Sequence, residues 1–230
     1  MNGVHNPPEV LRPPRAVRAA LLAGNIALQT ALHDLVTALN ATRPPSAFYD
    51  FSLPIDSWFP YVAWTWVIYY FGDLYILFWG SIVVWRLPSR QFYRAAVAYA
   101  AMIVVGAGMH LALPGISPWP ENGSAVQQWF HEQITYDRNV CLPSMHVALA
   151  LLPSCMTFDA FRSRAAGTVA IIISAFIAIS TVTLKEHFVL DVIAGIVLAL
   201  AVYAIWRRPG GDQPGKPGLT NNHRLHEGHP

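Results

Sequence analysis

Charged side chains are scarce in this sequence. Only 12% of its 230 residues are Asp, Glu, Lys or Arg, about half the roughly 25% typical of soluble domains. Hydrophobic residues make up 54%, and mean hydropathy is +0.36. So little charge could not cover the apolar surface of a soluble globule of this length. The same shortage excludes a disordered chain, a coiled coil and a nucleic-acid binder, since no basic patch matches a phosphate backbone. Cysteine is nearly absent too. Cys141 and Cys155 lie fourteen residues apart, about 21 Å if the stretch is helical, which is beyond the reach of a disulfide.

What the sequence does have is long apolar runs. A bilayer core of about 30 Å takes about 20 apolar residues per helix. Six segments qualify in outline: 16–38, 61–85, 95–113, 143–159, 166–184 and 188–206. The expectation is an all-α, polytopic membrane bundle of about six transmembrane helices. One domain covers residues 16–206, between flexible tails at 1–15 and 207–230 that are rich in Pro, Gly and polar residues. The first segment carries Asn25, Gln29 and His33 on one face, which suits a bundle interior or an interfacial helix. The second contains Asp73. A charge inside a membrane is costly, so Asp73 should have a partner, with His33 and Asn25 as candidates. His110, in the third, reads as a packing residue.

The net charge of +2 is uninformative until the fifteen cations are sorted by loop. With six spans, Arg12, Arg15, Arg18, Arg86, Arg90, Arg94, Arg162, Arg164, Arg207, Arg208, Lys216 and Arg224 share one face. Arg43, Arg138 and Lys185 remain on the other. Twelve against three is a strong positive-inside signal, which makes both termini cytoplasmic. The loop 114–142 is then extracytoplasmic, and its stretch 125–134 has the pattern of an interfacial helix.

Two constellations open on that non-cytoplasmic face. Pro143 and Ser144 form a helix opening, whose free amides would face the outer aqueous layer as an anion site. His146 stands at the same mouth. In the second, His187 and Asp191 are four apart on one helical face, beside Lys185. A carboxylate one turn from a histidine fixes its tautomer and leaves the other ring nitrogen as nucleophile or base.

Pro143-Ser144-Met145-His146, followed by His187-x3-Asp191, resembles the second and third signatures of the type 2 phosphatidic acid phosphatase superfamily. The run Ser180-Thr181, Lys185-Glu186-His187, Asp191 looks most like its inositol phosphorylceramide synthase-like branch. The resemblance covers roughly residues 60–205. It implies a phosphatase or inositolphosphotransferase-like enzyme acting on a lipid phosphate or phospholipid head group, with a polyol or alcohol as acceptor in the transferase case. It also implies a phosphohistidine on His187, orientation by Asp191, proton donation by His146 and phosphate binding by Ser144. No cofactor or metal is implied. Three family cations are missing: Pro118-Trp119-Pro120 carries none, Met145 replaces a glycine and Thr181 an arginine. Lys185 and Arg138 are the expected substitutes, with Arg43 further down.

Two other readings compete. His146, His187 and Asp191 could form a two-histidine, one-carboxylate metal site of a membrane hydrolase. Alternatively the missing cations mark a non-catalytic lipid carrier on a degenerate scaffold.

Overall fold

A computed structural model describes residues 13–118 and 141–208. Most of the expected tails (1–12 and 209–230), Arg138 and the interfacial stretch 125–134 therefore lie outside the described residues. Six long helices form the architecture: α1 (Arg15–Ala41), α2 (Ala63–Arg86), α3 (Ser89–Ala112), α4 (Met145–Phe161), α5 (Arg164–Thr183) and α6 (Val189–Arg207). The fold is all-α; among the described residues there is no strand, only an isolated bridge between Tyr49 and Gly115.

Five of these helices are long and apolar enough to cross a membrane, and α4, at 17 residues, is the shorter one. Its burial explains why it can be short. Eleven of its 17 residues are buried, and it packs against α2, α5 and α6. A helix that is apolar on all faces belongs inside a bundle. Around it, large side chains such as Phe78, Val97 and Val197 are exposed, which suits an outer surface facing lipid tails.

Hydroxyls tie the centre together. The Tyr75 hydroxyl is 2.7 Å from Ser154 Oγ, and Ser154 Oγ is 2.6 Å from Ser174 Oγ, linking α2, α4 and α5. Trp79 donates its indole N–H to Thr157 Oγ1 at 3.2 Å. Tyr75 and Trp79 bound a π-helical turn within α2. The added residue of such a turn brings both aromatics onto α4.

The helices alternate in direction, so the starts of α2, α4 and α6 meet the ends of α1, α3 and α5. Most described cations lie at the opposite end. There Arg18 donates to the Leu87 carbonyl at 3.1 Å and lies over the Phe92 ring. Arg207 approaches Asp159 at 3.8 Å, and Arg94 donates to the Arg208 carbonyl at 2.6 Å. Arg43 and Lys185 are at the end that holds the two histidine motifs. Cys141 and Cys155 are both buried and form no disulfide, as their spacing leads one to expect.

Candidate active site

The turn that carries His187 begins with the way α5 ends. The amide of Lys185 donates to the Val182 carbonyl at 3.1 Å, and that of Glu186 to the Thr181 carbonyl at 3.0 Å. This is a Schellman ending, whose reversing residue sits in the left-handed region. That residue is Lys185, with φ of 63°, where glycine is usual. The His187 amide also donates to the Thr181 carbonyl, at 3.2 Å. The chain then reverses into α6.

Asp191 closes the first turn of α6. Its Oδ2 accepts from the Phe188 amide at 2.9 Å, the reach-back arm of a capping box. The same oxygen lies 3.4 Å from His187 Nδ1. Asp191 is 0% exposed and His187's side chain 11%. The carboxylate oxygen that caps Phe188 thus also faces one ring nitrogen, although no hydrogen bond between them is formed.

The second motif is joined to this turn by backbone. The Ser144 amide donates to the Asp191 carbonyl at 2.9 Å. Gly195, one turn further along α6, makes this approach close: a Cβ there would stand 2.5 Å from the Ser144 carbonyl oxygen. On the other side, His110 Nε2 is 2.8 Å from the Pro143 carbonyl oxygen. A carbonyl only accepts, so Nε2 carries the proton. His110 is therefore a hydrogen-bonding support of the Pro143-Ser144 opening, not the packing residue expected. The Ser144 hydroxyl caps α4 by accepting from the Val147 amide at 3.4 Å.

His146 is held from a different helix. Its ring stacks on Tyr69 with centroids 4.3 Å apart and planes at 19°. Its Nδ1 is 3.5 Å from Asp73 Oδ1. A Cβ on Gly72 would fall 2.4 Å from its Nε2. The ion pair of Asp73 is thus with His146, rather than with the expected His33 or Asn25; the Asn25 side chain turns back to the Leu21 carbonyl at 2.9 Å. Tertiary packing chose the partner, because α4 packs closely on α2 whereas α1 packs mainly on α3.

The opening of α4 is not in an outer aqueous layer as expected. Ser144 is 0% exposed and Met145 8%. The segment between α1 and α2 is docked over this end of the bundle. The Val62 amide donates to the Thr183 carbonyl at 2.9 Å, and Tyr49 pairs with the 114–116 strand-like stretch. Asp56 is the centre of this docking. Its Oδ1 accepts from the Val189 amide at 2.8 Å, and its Oδ2 from the Leu53 amide at 2.6 Å. The Val189 amide is the first of α6, so a carboxylate meets a helix N-terminus. Burial, with help from the Glu186 carboxylate, pushes the Tyr61 phenol above its ordinary pKa.

Lys185 belongs to the same docking. Its ammonium donates to the carbonyls of Asp56 at 3.2 Å and Phe59 at 2.5 Å, leaving one of three protons for another partner. Arg43 donates to the Leu111 carbonyl at 2.7 Å. Both described cations at this end thus hold backbone. Among the described residues, no group of three or more metal-ligating side chains is assembled.

Four contributors were not singled out from sequence: Asp56, Tyr69, Gly72 and Gly195. Only Gly195 carried a signal, as a glycine one turn beyond Asp191 in an otherwise apolar run.

No curated protein and no solved structure matches the sequence significantly. The family comparison does match, over residues 51–205, which takes in α2 to α6 and the docked segment from Phe51 but not α1. With about two thirds of its length matched, including both histidine motifs and the turn that joins them, the chain belongs to the PAP2 superfamily.

Proposed function

We propose that this protein is an integral-membrane phosphoryl-transfer enzyme that acts on a lipid phosphate or phospholipid head group through a phosphohistidine. Membership of the superfamily already suggests a phosphatase-type lipid phosphoryl transfer. The observation that carries the finer reading is the buried His187–Asp191 pair at 3.4 Å, tied by a backbone hydrogen bond to Ser144.

In this reading, His187 Nε2 attacks phosphorus while the bond from phosphorus to the lipid oxygen breaks. His146 gives its proton to the departing alkoxide. Asp191 stabilises the ring as positive charge develops on it. Water, deprotonated by His146, then attacks the phosphohistidine, releasing inorganic phosphate and restoring both histidines. If an alcohol takes the place of water, the product is its phosphate ester, as the resemblance to the inositol phosphorylceramide synthase-like branch suggests. Phosphoryl transfer depends mainly on positioning and charge stabilisation. The amides at the start of α4, the remaining Lys185 proton and Arg138 are the groups proposed for the phosphoryl oxygens. The distribution of cations supports a site on the non-cytoplasmic face.

The test is product analysis on purified protein in detergent, with a panel of lipid phosphates and phosphodiesters, with and without inositol. Free phosphate and dephosphorylated lipid are expected. A phosphorylated acceptor would replace the hydrolase with the transferase. No turnover on any member, with identical results for His187→Ala, would leave the non-catalytic carrier.

A further inference from the structure

The geometry points to Asp73, with Tyr69 and Gly72, as a socket on α2 that positions His146 for its proton transfer. The inference rests on the acid role proposed for His146 and extends it to residues outside the two histidine motifs.

Residues 69, 72 and 73 are spaced i, i+3 and i+4, so they share one face of α2. Each constrains the imidazole differently. Tyr69 stacks on its plane at 4.3 Å and 19°, which fixes the tilt. Gly72 leaves the room that the Nε2 edge occupies, since a Cβ would sit 2.4 Å from Nε2 and 3.3 Å from Cδ2. Asp73 faces Nδ1 at 3.5 Å, which favours a proton on that nitrogen. Nε2, the other ring nitrogen, is buried against Gly72 and is the atom proposed to exchange protons.

A purely structural origin of the arrangement explains less. Asp73's side chain is 55% exposed at the bundle surface, and a carboxylate within a membrane-spanning helix is costly. An Asn or Ser would pack there as well. The two histidines are treated alike, each with Nδ1 facing a carboxylate: His187, in the turn before α6, by Asp191 of that helix's first turn, and His146 by Asp73 from another helix.

The test compares two substrates with the same tail and different leaving groups, dodecyl phosphate and 4-dodecyl-2-nitrophenyl phosphate. A nitrophenolate leaves without help, whereas an alkoxide needs a proton. Asp73→Asn should lower kcat on dodecyl phosphate roughly 10- to 100-fold, part of the roughly 100- to 10,000-fold a general acid supplies. On the nitroaryl substrate the loss should stay under about threefold, and KM should hold for both. Asp73→Glu should recover most of the alkyl activity. Gly72→Ala, which displaces the ring while keeping the carboxylate, should show the same selective loss. His146→Ala is the control and should show a larger one. Equal losses on both substrates for Asp73→Asn, or none, with a selective loss in His146→Ala, would overturn the socket alone. No selectivity in His146→Ala would overturn the acid assignment itself, and the socket with it.

Discussion

The amide of Ser144 donates to the carbonyl of Asp191 at 2.9 Å. Forty-seven residues apart in the chain, these two are the joint between the histidine motifs, and Gly195 sets how closely the joint can close. Gly195→Ala places a methyl 2.5 Å from a backbone oxygen that cannot swing away. Overpacking of this kind costs about 1–3 kcal/mol. Thermal unfolding in detergent should show the loss, and activity should fall further than stability because the motifs are pushed apart.

His187→Ala should abolish turnover, and acid-labile, base-stable phosphate labelling of the protein should vanish with it. Asp191→Asn should keep the Phe188 cap in part, through its side-chain oxygen, and lose activity without loss of folding. Asp191→Ala removes the acceptor of a buried amide, which costs about 1–3 kcal/mol, so it should lower both. Persistent labelling in His187→Ala would move the nucleophile elsewhere.

His110 supports the Pro143 carbonyl, so His110→Gln, which can still donate, should be tolerated better than His110→Leu. The leucine leaves a buried carbonyl unpaired at about 1–3 kcal/mol. Melting temperatures of the two variants decide the matter. Equal values would return His110 to packing alone.

Lys185 and Asp56 hold the segment between α1 and α2 in place. Lys185→Met and Asp56→Ala should each speed proteolytic cleavage within residues 44–62, at little cost to the melting of the helical bundle. A rise in KM for the lipid phosphate in Lys185→Met, absent from Asp56→Ala, would assign the third ammonium proton to phosphate. Lys185→Gly should relieve the left-handed backbone while still freeing the segment.

A bell-shaped pH dependence of kcat/KM is expected, because one histidine must be neutral and the other protonated. Vanadate should inhibit and chelators should not. Inactivation by a chelator, reversed by one divalent metal, would favour the metal-site reading of His146, His187 and Asp191.

The helices were legible in the sequence because apolar runs of membrane length have few other uses. The helix boundaries lie within a few residues of the expected segments, from Arg15 to Arg207. The pair His187–Asp191 was legible as a spacing, but not for the expected reason: His187 lies in the turn before α6, not on its face, and Asp191 meets it while capping the Phe188 amide. Contacts between helices carry no such signature. Asp73 could be seen to need a partner, but Asn25, His33 and His146 were equal in composition and differed only in which helix reaches that face of α2. Asp56 lies in a loop with no periodicity, and its grip on Val189 and Lys185 exists only once that loop folds over the bundle. The sequence by itself therefore determined the class of molecule and its helices, and it named the two motifs on which the proposed chemistry rests. Tertiary structure decided that His146 belongs to α2, that Lys185 grips backbone, and that the motifs meet through Ser144 and Asp191, because those choices depend on packing geometry that neither hydropathy nor spacing encodes.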